Sequence, residues 1–214
     1  RDCQGFLMNR QKDTNALNIY HDNTTDINQG VLTKGAESPL TEAQLEEFSI
    51  SMWVKVFDKD IANDPLINIT IDNNAHFTAS YHSNQDIMFC YEIGGAPIRY
   101  ETNTSNLLTE NEWSHIVFVC KYAESTDTDK VKIYVNGKFR TSTTGQTSAT
   151  TSPTNDNSMW IGCESIKGTK FNGMIDDVLI YTGTLSDGLT SPSDGDTAKG
   201  EVKRNYNAGK RSHR

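Results

Sequence analysis

Apolar and polar positions alternate along much of the chain in short runs, rich in β-branched and aromatic residues and bounded by Gly, Asn, Asp and Pro. Helical spacing is scarce. Residues 48–57 put Phe48, Ile50, Met52, Val54 and Val56 on one face of a strand, with Ser49, Ser51, Trp53, Lys55 and Phe57 on the other. The runs 66–71 and 77–81 flank Asp72-Asn73-Asn74, and 87–93 and 98–101 flank Gly94-Gly95, so each pair predicts a hairpin. Residues 115–122 are apolar on both faces, as a central strand requires. The run 131–135, then Asn136-Gly137, then 138–140 predicts a hairpin closed by a type I′ turn, because Asn-Gly accepts positive φ at both central positions. From 141 to 154, ten of fourteen residues are Ser or Thr, which predicts a long mobile surface loop. Strand signal returns at 159–161 and 171–181. It then fades into a Gly-, Ser- and Asp-rich segment, with 201–207 fit for one or two helical turns. Thr41 to Gln44 fit a capping box ahead of Leu45 and Phe48, so one short helical turn should precede the first long strand. About ten short strands with almost no helix predict an all-β fold: a two-sheet antiparallel jelly-roll β-sandwich with one or two short helical turns.

Length and charge sharpen this reading. The 214 residues suit one large all-β domain, residues 1–186, followed by a Gly/Ser/Asp-rich segment and basic C-terminal tail, 187–214. Hydrophobic residues make up 35% and charged residues 22%, too polar for a membrane protein and too apolar, in patterned blocks, for a disordered one. No run approaches about 18 consecutive apolar residues, so no membrane insertion is expected. The chain opens on Arg1, which reads as a processed product or an excised part of something longer. Of the net charge of −8, the last fourteen residues carry +4 and the rest −12. An acidic body argues against nucleic acid as a partner, because phosphate neutralisation needs clustered Lys and Arg on the folded domain. The basic tail suits an acidic partner or a solvated terminus.

Candidate chemistry is sparse. Cys3, Cys90, Cys120 and Cys163 form no C-x-x-C pair, which leaves zinc and redox motifs unsupported. Cys90 and Cys120 lie in apolar runs, where a thiol behaves as a small buried hydrophobe. N-x-S/T sequons begin at Asn23, Asn68 and Asn103, weak support for secretion. The G-x-S-x-G and H-E-x-x-H motifs are absent, and the five histidines never pair at ligand spacing. His115 reads as a packed strand histidine.

Four blocks in order carry a resemblance. Residues 48–55; Trp113-Ser114-His115 with the Tyr134-Val135-Asn136-Gly137-Lys138 hairpin; Ile161-Gly162; and Phe171 through Tyr181, with Ile175-Asp176-Asp177-Val178 at its centre, resemble the laminin-G-like branch of the concanavalin A-like jelly rolls, which also holds pentraxins and lectin-like modules. The closing 201–210 is similar to tails that end such domains in large surface proteins and in marine viral structural proteins.

That resemblance implies a non-enzymatic recognition module at a cell or virion surface, extracellular, binding glycan or a surface protein. The alternative it implies is a structural decoration component of a capsid, fibre or surface assembly, with the tail docking on a neighbouring subunit. Hydrolases of this architecture carry an E-x-D-x-x-E strand whose carboxylates converge on one cleft, and the chain has no such string. Glu46-Glu47 and Glu110/Glu112 read as solvated surface. The resemblance also implies one structural Ca2+ beside the closing strand, at Asp176 or Asp177, since calcium takes hard oxygen ligands. The other reading has one of these aspartates facing solvent while its neighbour accepts backbone hydrogen bonds. Sugar recognition sets an aromatic ring against a pyranose face, and the rings expected to serve are Trp53, whose strand face is polar, and the hairpin residues Tyr81, Tyr91 and Tyr100, expected to be exposed.

Overall fold

The computed structural model describes residues 17–19, 31–32, 40–57, 64–72, 75–82, 87–93, 98–102, 106–125, 127–144, 158–162 and 171–213. In chain order they form β1 (Leu17–Ile19), β2 (Val31–Leu32), α1 (Glu42–Leu45), β3 (Glu47–Val56), β4 (Asp64–Asp72), β5 (Ala75–Tyr81), β6 (Ile87–Ile93) and β7 (Ile98–Thr102). There follow β8 (Trp113–Lys121), α2 (Asp127–Lys130), β9 (Val131–Val135), β10 (Lys138–Arg140), β11 (Ser142–Thr144), β12 (Ser158–Ile161), β13 (Gly173–Tyr181) and α3 (Glu201–Gly209). The strands build two antiparallel sheets, one ordered β1-β13-β3-β8-β9-β10 and the other β11-β7-β6-β5-β4-β12-β2. After β3 the chain crosses to the second sheet for four strands and returns at β8, which pairs with β3 along nine residue positions. This crossing is the jelly-roll pattern the alternation predicts.

The predicted strands form where their side chains can be buried. Phe48, Ile50, Met52, Val54 and Val56 all face the space between the sheets, where they join Ile116 and Phe118 of β8 and Ile69, Phe77 and Phe89 of the second sheet. Phe77 sits at the centre, edge-on to Phe48 at 5.4 Å and to Phe118 at 5.2 Å. Emptying such a site costs about 3–5 kcal/mol for Phe to Ala. The β9–β10 turn has φ of 53° at Asn136 and 72° at Gly137, the two positive angles of a type I′ turn. The Thr41 hydroxyl accepts from Gln44 N at 3.3 Å and the Gln44 amide oxygen from Thr41 N at 2.9 Å, which completes the capping box before α1.

Two expectations need correction. Part of the Ser/Thr-rich stretch is an edge strand: Ser142–Thr144 pairs antiparallel with β7, because its hydroxylated, β-branched residues suit a strand once a partner edge is at hand. Residues 145–154 of that stretch lie outside the described residues, as do Asn73, Asn74, Gly94 and Gly95, although β4 pairs with β5 and β6 with β7 as predicted. The C-terminal segment is not a solvated tail. Leu185, Ala198 and Val202 pack on Val117, Val119 and Tyr134, making a second apolar cluster on the outer face of the six-stranded sheet. Backbone bonds fasten it to the β9–β10 hairpin: Phe139 N to Asp196 O at 2.7 Å and Ala198 N to Gly137 O at 2.9 Å. The boundary expected at 186/187 therefore marks no break in packing.

Candidate functional site

The four rings expected to meet a sugar are all buried. Tyr81, Tyr91 and Tyr100 are at most 1% exposed and belong to the core between the sheets. Strand parity turns them inward with Phe77 and Phe89: Tyr100 stacks on Phe89 at 4.7 Å, and the Tyr91 hydroxyl donates to Leu45 O. Burial holds the Tyr91 phenol well above its ordinary range. Trp53 does lie on the outer face of its sheet, but the C-terminal segment covers it. The His213 ring stacks on its indole at 4.5 Å and 5°, Tyr206 stacks at 5.8 Å, and the Gly209 backbone lies against the same ring. In this packing none of the four can stack on a ligand.

Asp176 and Asp177 are held apart from one another's role by a bulge in β13, where the register with β3 shifts and Asp177 takes a φ of 47°. Asp176 Oδ2 lies 3.0 Å from His213 Nε2, and its Oδ1 accepts from Asp177 N at 2.8 Å. Both oxygens of Asp176 are thus engaged inside the protein, and Asp177 is exposed. Among the described residues no group of three or more His, Cys, Asp or Glu is placed to hold a metal. These residues do not fit the calcium ion that the resemblance implies at this strand.

His115 is packed, as its strand position predicts. Its Nε2 lies 2.8 Å from Ser51 Oγ and its ring 5.0 Å from that of Trp53. Burial, with the nearby His213 adding to it, lowers its pKa to about 4, so the ring is neutral at physiological pH. Glu110 and Glu112 are exposed in the turn before β8. Asn68, of the second sequon, is buried in β4 and accepts from the Thr70 hydroxyl at 2.9 Å. Cys3, Cys163, Asn23 and Asn103 lie outside the described residues.

Polar groups do converge at one end of the six-stranded sheet. A groove of about 230 Å³ is lined by Lys121, Glu124, Asp129, Lys132, Thr184, Ser186 and Asp187, with Val119 and Leu185, both nearly buried, as its apolar part. The register explains the meeting. Val119 opposes Lys132 across β8 and β9, and the chain leaving β13 passes over the same end of the sheet. Asp187 is fixed from behind: the Tyr134 hydroxyl and Lys132 Nζ, 3.9 Å away, face its Oδ2, while Leu189 N donates to its Oδ1 at 2.9 Å. Lys121 pairs with Glu124 at 2.8 Å on the opposite rim. The wall 184–187 is pinned to α3, since Ser186 N donates to Glu201 Oε2 at 2.9 Å and Glu201 N donates to Ser186 Oγ at 3.3 Å. The backbone bond from Ser186 keeps the Glu201 carboxyl below its ordinary range. Ammonium and carboxylate groups beside an apolar surface can grip a polyol by its hydroxyls while covering its apolar face.

Two antiparallel sheets crossed in this order define a concanavalin A-like jelly roll. The model of the Laminin_G_3 family, described as the concanavalin A-like lectin/glucanases superfamily, matches residues 13–188, and the chain belongs to that family. The match stops just where the segment over the groove turns toward α3. No curated protein matches the chain. Among solved structures, the receptor binding domain of botulinum neurotoxin C/D mosaic serotype is similar at 17% identity and a TM-score of 0.52, covering 78% of this chain and 37% of the toxin chain. A Ruminococcus gnavus IT-sialidase CBM40 bound to α2,3 sialyllactose is similar at 14% identity and a TM-score of 0.49, covering 67% of this chain and 79% of that one. A heptameric SAP-like pentraxin from Limulus polyphemus is similar at 12% identity and a TM-score of 0.45, covering 66% of each chain. At 17% identity the likeness to the toxin domain is one of fold.

Proposed function

We propose that the domain is a recognition module that binds glycan through the groove at the end of the six-stranded sheet. The observation that carries this reading is the convergence of Lys121, Glu124, Lys132, Thr184, Ser186 and Asp187 beside Val119 and Leu185. Hydrogen-bonding groups on rigid elements beside an apolar surface are what polyol recognition needs. Membership of a superfamily described by its lectins and glucanases supports the same chemistry. The setting that goes with it is extracellular, at a cell or virion surface, within a larger protein. No described helix is long and apolar enough to cross a membrane. A purely structural role would use the tail to dock on a neighbouring subunit. Here Val202 and Gly209 are buried against the domain's own sheet, which favours recognition over docking. The test is a glycan array probed with multivalent protein and with the Lys132→Ala and Glu124→Ala variants. Binding that either variant removes, at unchanged melting temperature, supports the groove. Binding that both retain, or none by the wild type, removes the reading.

A further inference from the structure

The positive charge of the last fourteen residues has no part in the groove, and folding gathers it on one surface. Val202, Tyr206 and Gly209 recur at helical spacing and meet the six-stranded sheet, so Arg204 and, two turns on, Arg211 are left exposed on the outside of α3. Lys210 keeps helical backbone angles beyond α3 and donates its N–H to Tyr206 O at 3.0 Å. The Lys203 and Lys210 ammonium groups thereby arrive at the same Tyr206 ring, 5.0 Å and 5.3 Å from its centroid. The β9–β10 turn lies against that ring and the Lys203 stem, and adds the exposed Lys138 to the surface. Arg204 pairs with Glu201 at 3.4 Å, but its side chain is 73% exposed and the pair holds it weakly. Among the described residues no carboxylate pairs with Lys138, Lys203, Lys210 or Arg211. Like charges gathered without a counter-charge repel one another, and an anion laid between them relieves the repulsion.

We propose that this face of α3 binds the acidic groups, carboxylate or sulfate, of a charged polysaccharide. With the groove as the glycan site, on which this step rests, the glycan it takes is an acidic one. Groove and helix are continuous: α3 starts at the groove wall, where Glu201 and Ser186 exchange hydrogen bonds, and runs from there to Trp53. From Lys203 to Arg211 the basic face extends about 12 Å at about 1.5 Å per residue, which suits a chain better than a single sugar. The first 200 residues carry −12, so an acidic chain is repelled elsewhere and confined to this face. A nucleic acid, charged at every nucleotide, needs wider neutralisation than these few cations give, whereas a polysaccharide charged at intervals does not. The helix also lies beyond residues 13–188, the part of the chain that the family model matches, so its basic face is an addition to the jelly roll.

The experiment measures binding of the whole protein to immobilised dextran sulfate, carboxymethyl dextran and uncharged dextran by surface plasmon resonance. At low ionic strength one or both charged matrices should bind about tenfold more tightly than the uncharged one, and the difference should vanish at about 0.5 M salt, where screening acts within a few ångströms. The stronger of the two charged matrices tells sulfate from carboxylate. The double substitution Lys203→Gln with Lys210→Gln should remove the preference at unchanged melting temperature, since neither side chain is buried. Lys132→Ala tests the groove separately and should weaken binding while keeping the preference. A Lys132→Ala protein that binds like the wild type, beside a double variant that does not, would fail the groove and leave the α3 face standing. Equal binding to all three dextrans, binding to none, or a preference that survives the double substitution would overturn the proposal. So would poly-L-glutamate bound as tightly as the charged dextrans, which would reassign the face to an acidic protein.

Discussion

Gly209 stands where a side chain has no room. A Cβ at this position would overlap the Trp53 indole, meeting Cε2 at 2.7 Å, although the residue lies in the last turn of α3, where alanine is ordinarily the better helix former by about 1 kcal/mol. Gly209→Ala should therefore invert the usual sign and destabilise the protein by about 1–3 kcal/mol, as overpacking does, in a denaturant titration. A stability gain would show that α3 does not lie on Trp53. His115 sets a pH dependence. Its folded pKa is about 4 against an unfolded value of 6.5, so between these values the unfolded chain binds a proton that the native state refuses. Stability is unaffected by this group above pH 6.5 and falls as the pH drops toward 4, by about 3 kcal/mol at the lower end. Subtracting the His115→Gln profile from the wild-type profile isolates the slope, and parallel profiles would contradict the assignment. His115 was legible as a packed strand residue from its apolar neighbours. The fate of Trp53 was not, because its alternation with Ser51 and Lys55 marks an outer face without telling what covers it. The three tyrosines obey the same parity as Phe77 and Phe89, so the alternation by itself turns them inward.

At the level of elements, the chain announces what is local. The Asn136-Gly137 turn, the Thr41 capping box and the bounds of Ile87–Ile93 follow from a few adjacent residues each. Elements whose stability is borrowed from a distant partner stay hidden: β11 is a Ser/Thr run until β7 pairs with it, and β1 and β2 are too short to show a period. The helix α3 was visible as a helical turn, but its docking was not, since Val202, Tyr206 and Gly209 meet the sheet's outer face through partners far away in sequence. Removing residues 199–214 should bare that face. The predicted result is a red shift in tryptophan emission and a lowered melting temperature, together with loss of any glycan binding, because Glu201 anchors the groove wall through Ser186. Unchanged emission would mean that Trp53 was never covered.

For the whole molecule, the order of the strand blocks specified the jelly roll, because only the two-sheet crossing places 48–57 beside 115–121 with four strands between them in sequence. The groove is not legible in the sequence for the opposite reason. Its members come from 119–132 and 184–187, and its charged and hydroxylated members are each by themselves ordinary surface residues. A small polar site without an aromatic ring should bind one sugar weakly, with a Kd on the order of 1 mM, and rely on multiple copies for avidity. Weak binding in fast exchange suits amide chemical-shift mapping, with the isotope-labelled domain titrated with an oligosaccharide that the array identifies. The account predicts saturable shifts concentrated at Lys121, Glu124, Lys132 and Thr184 through Asp187. Shifts centred on the outer face of the seven-stranded sheet, or absent throughout the groove at saturating sugar, would contradict it.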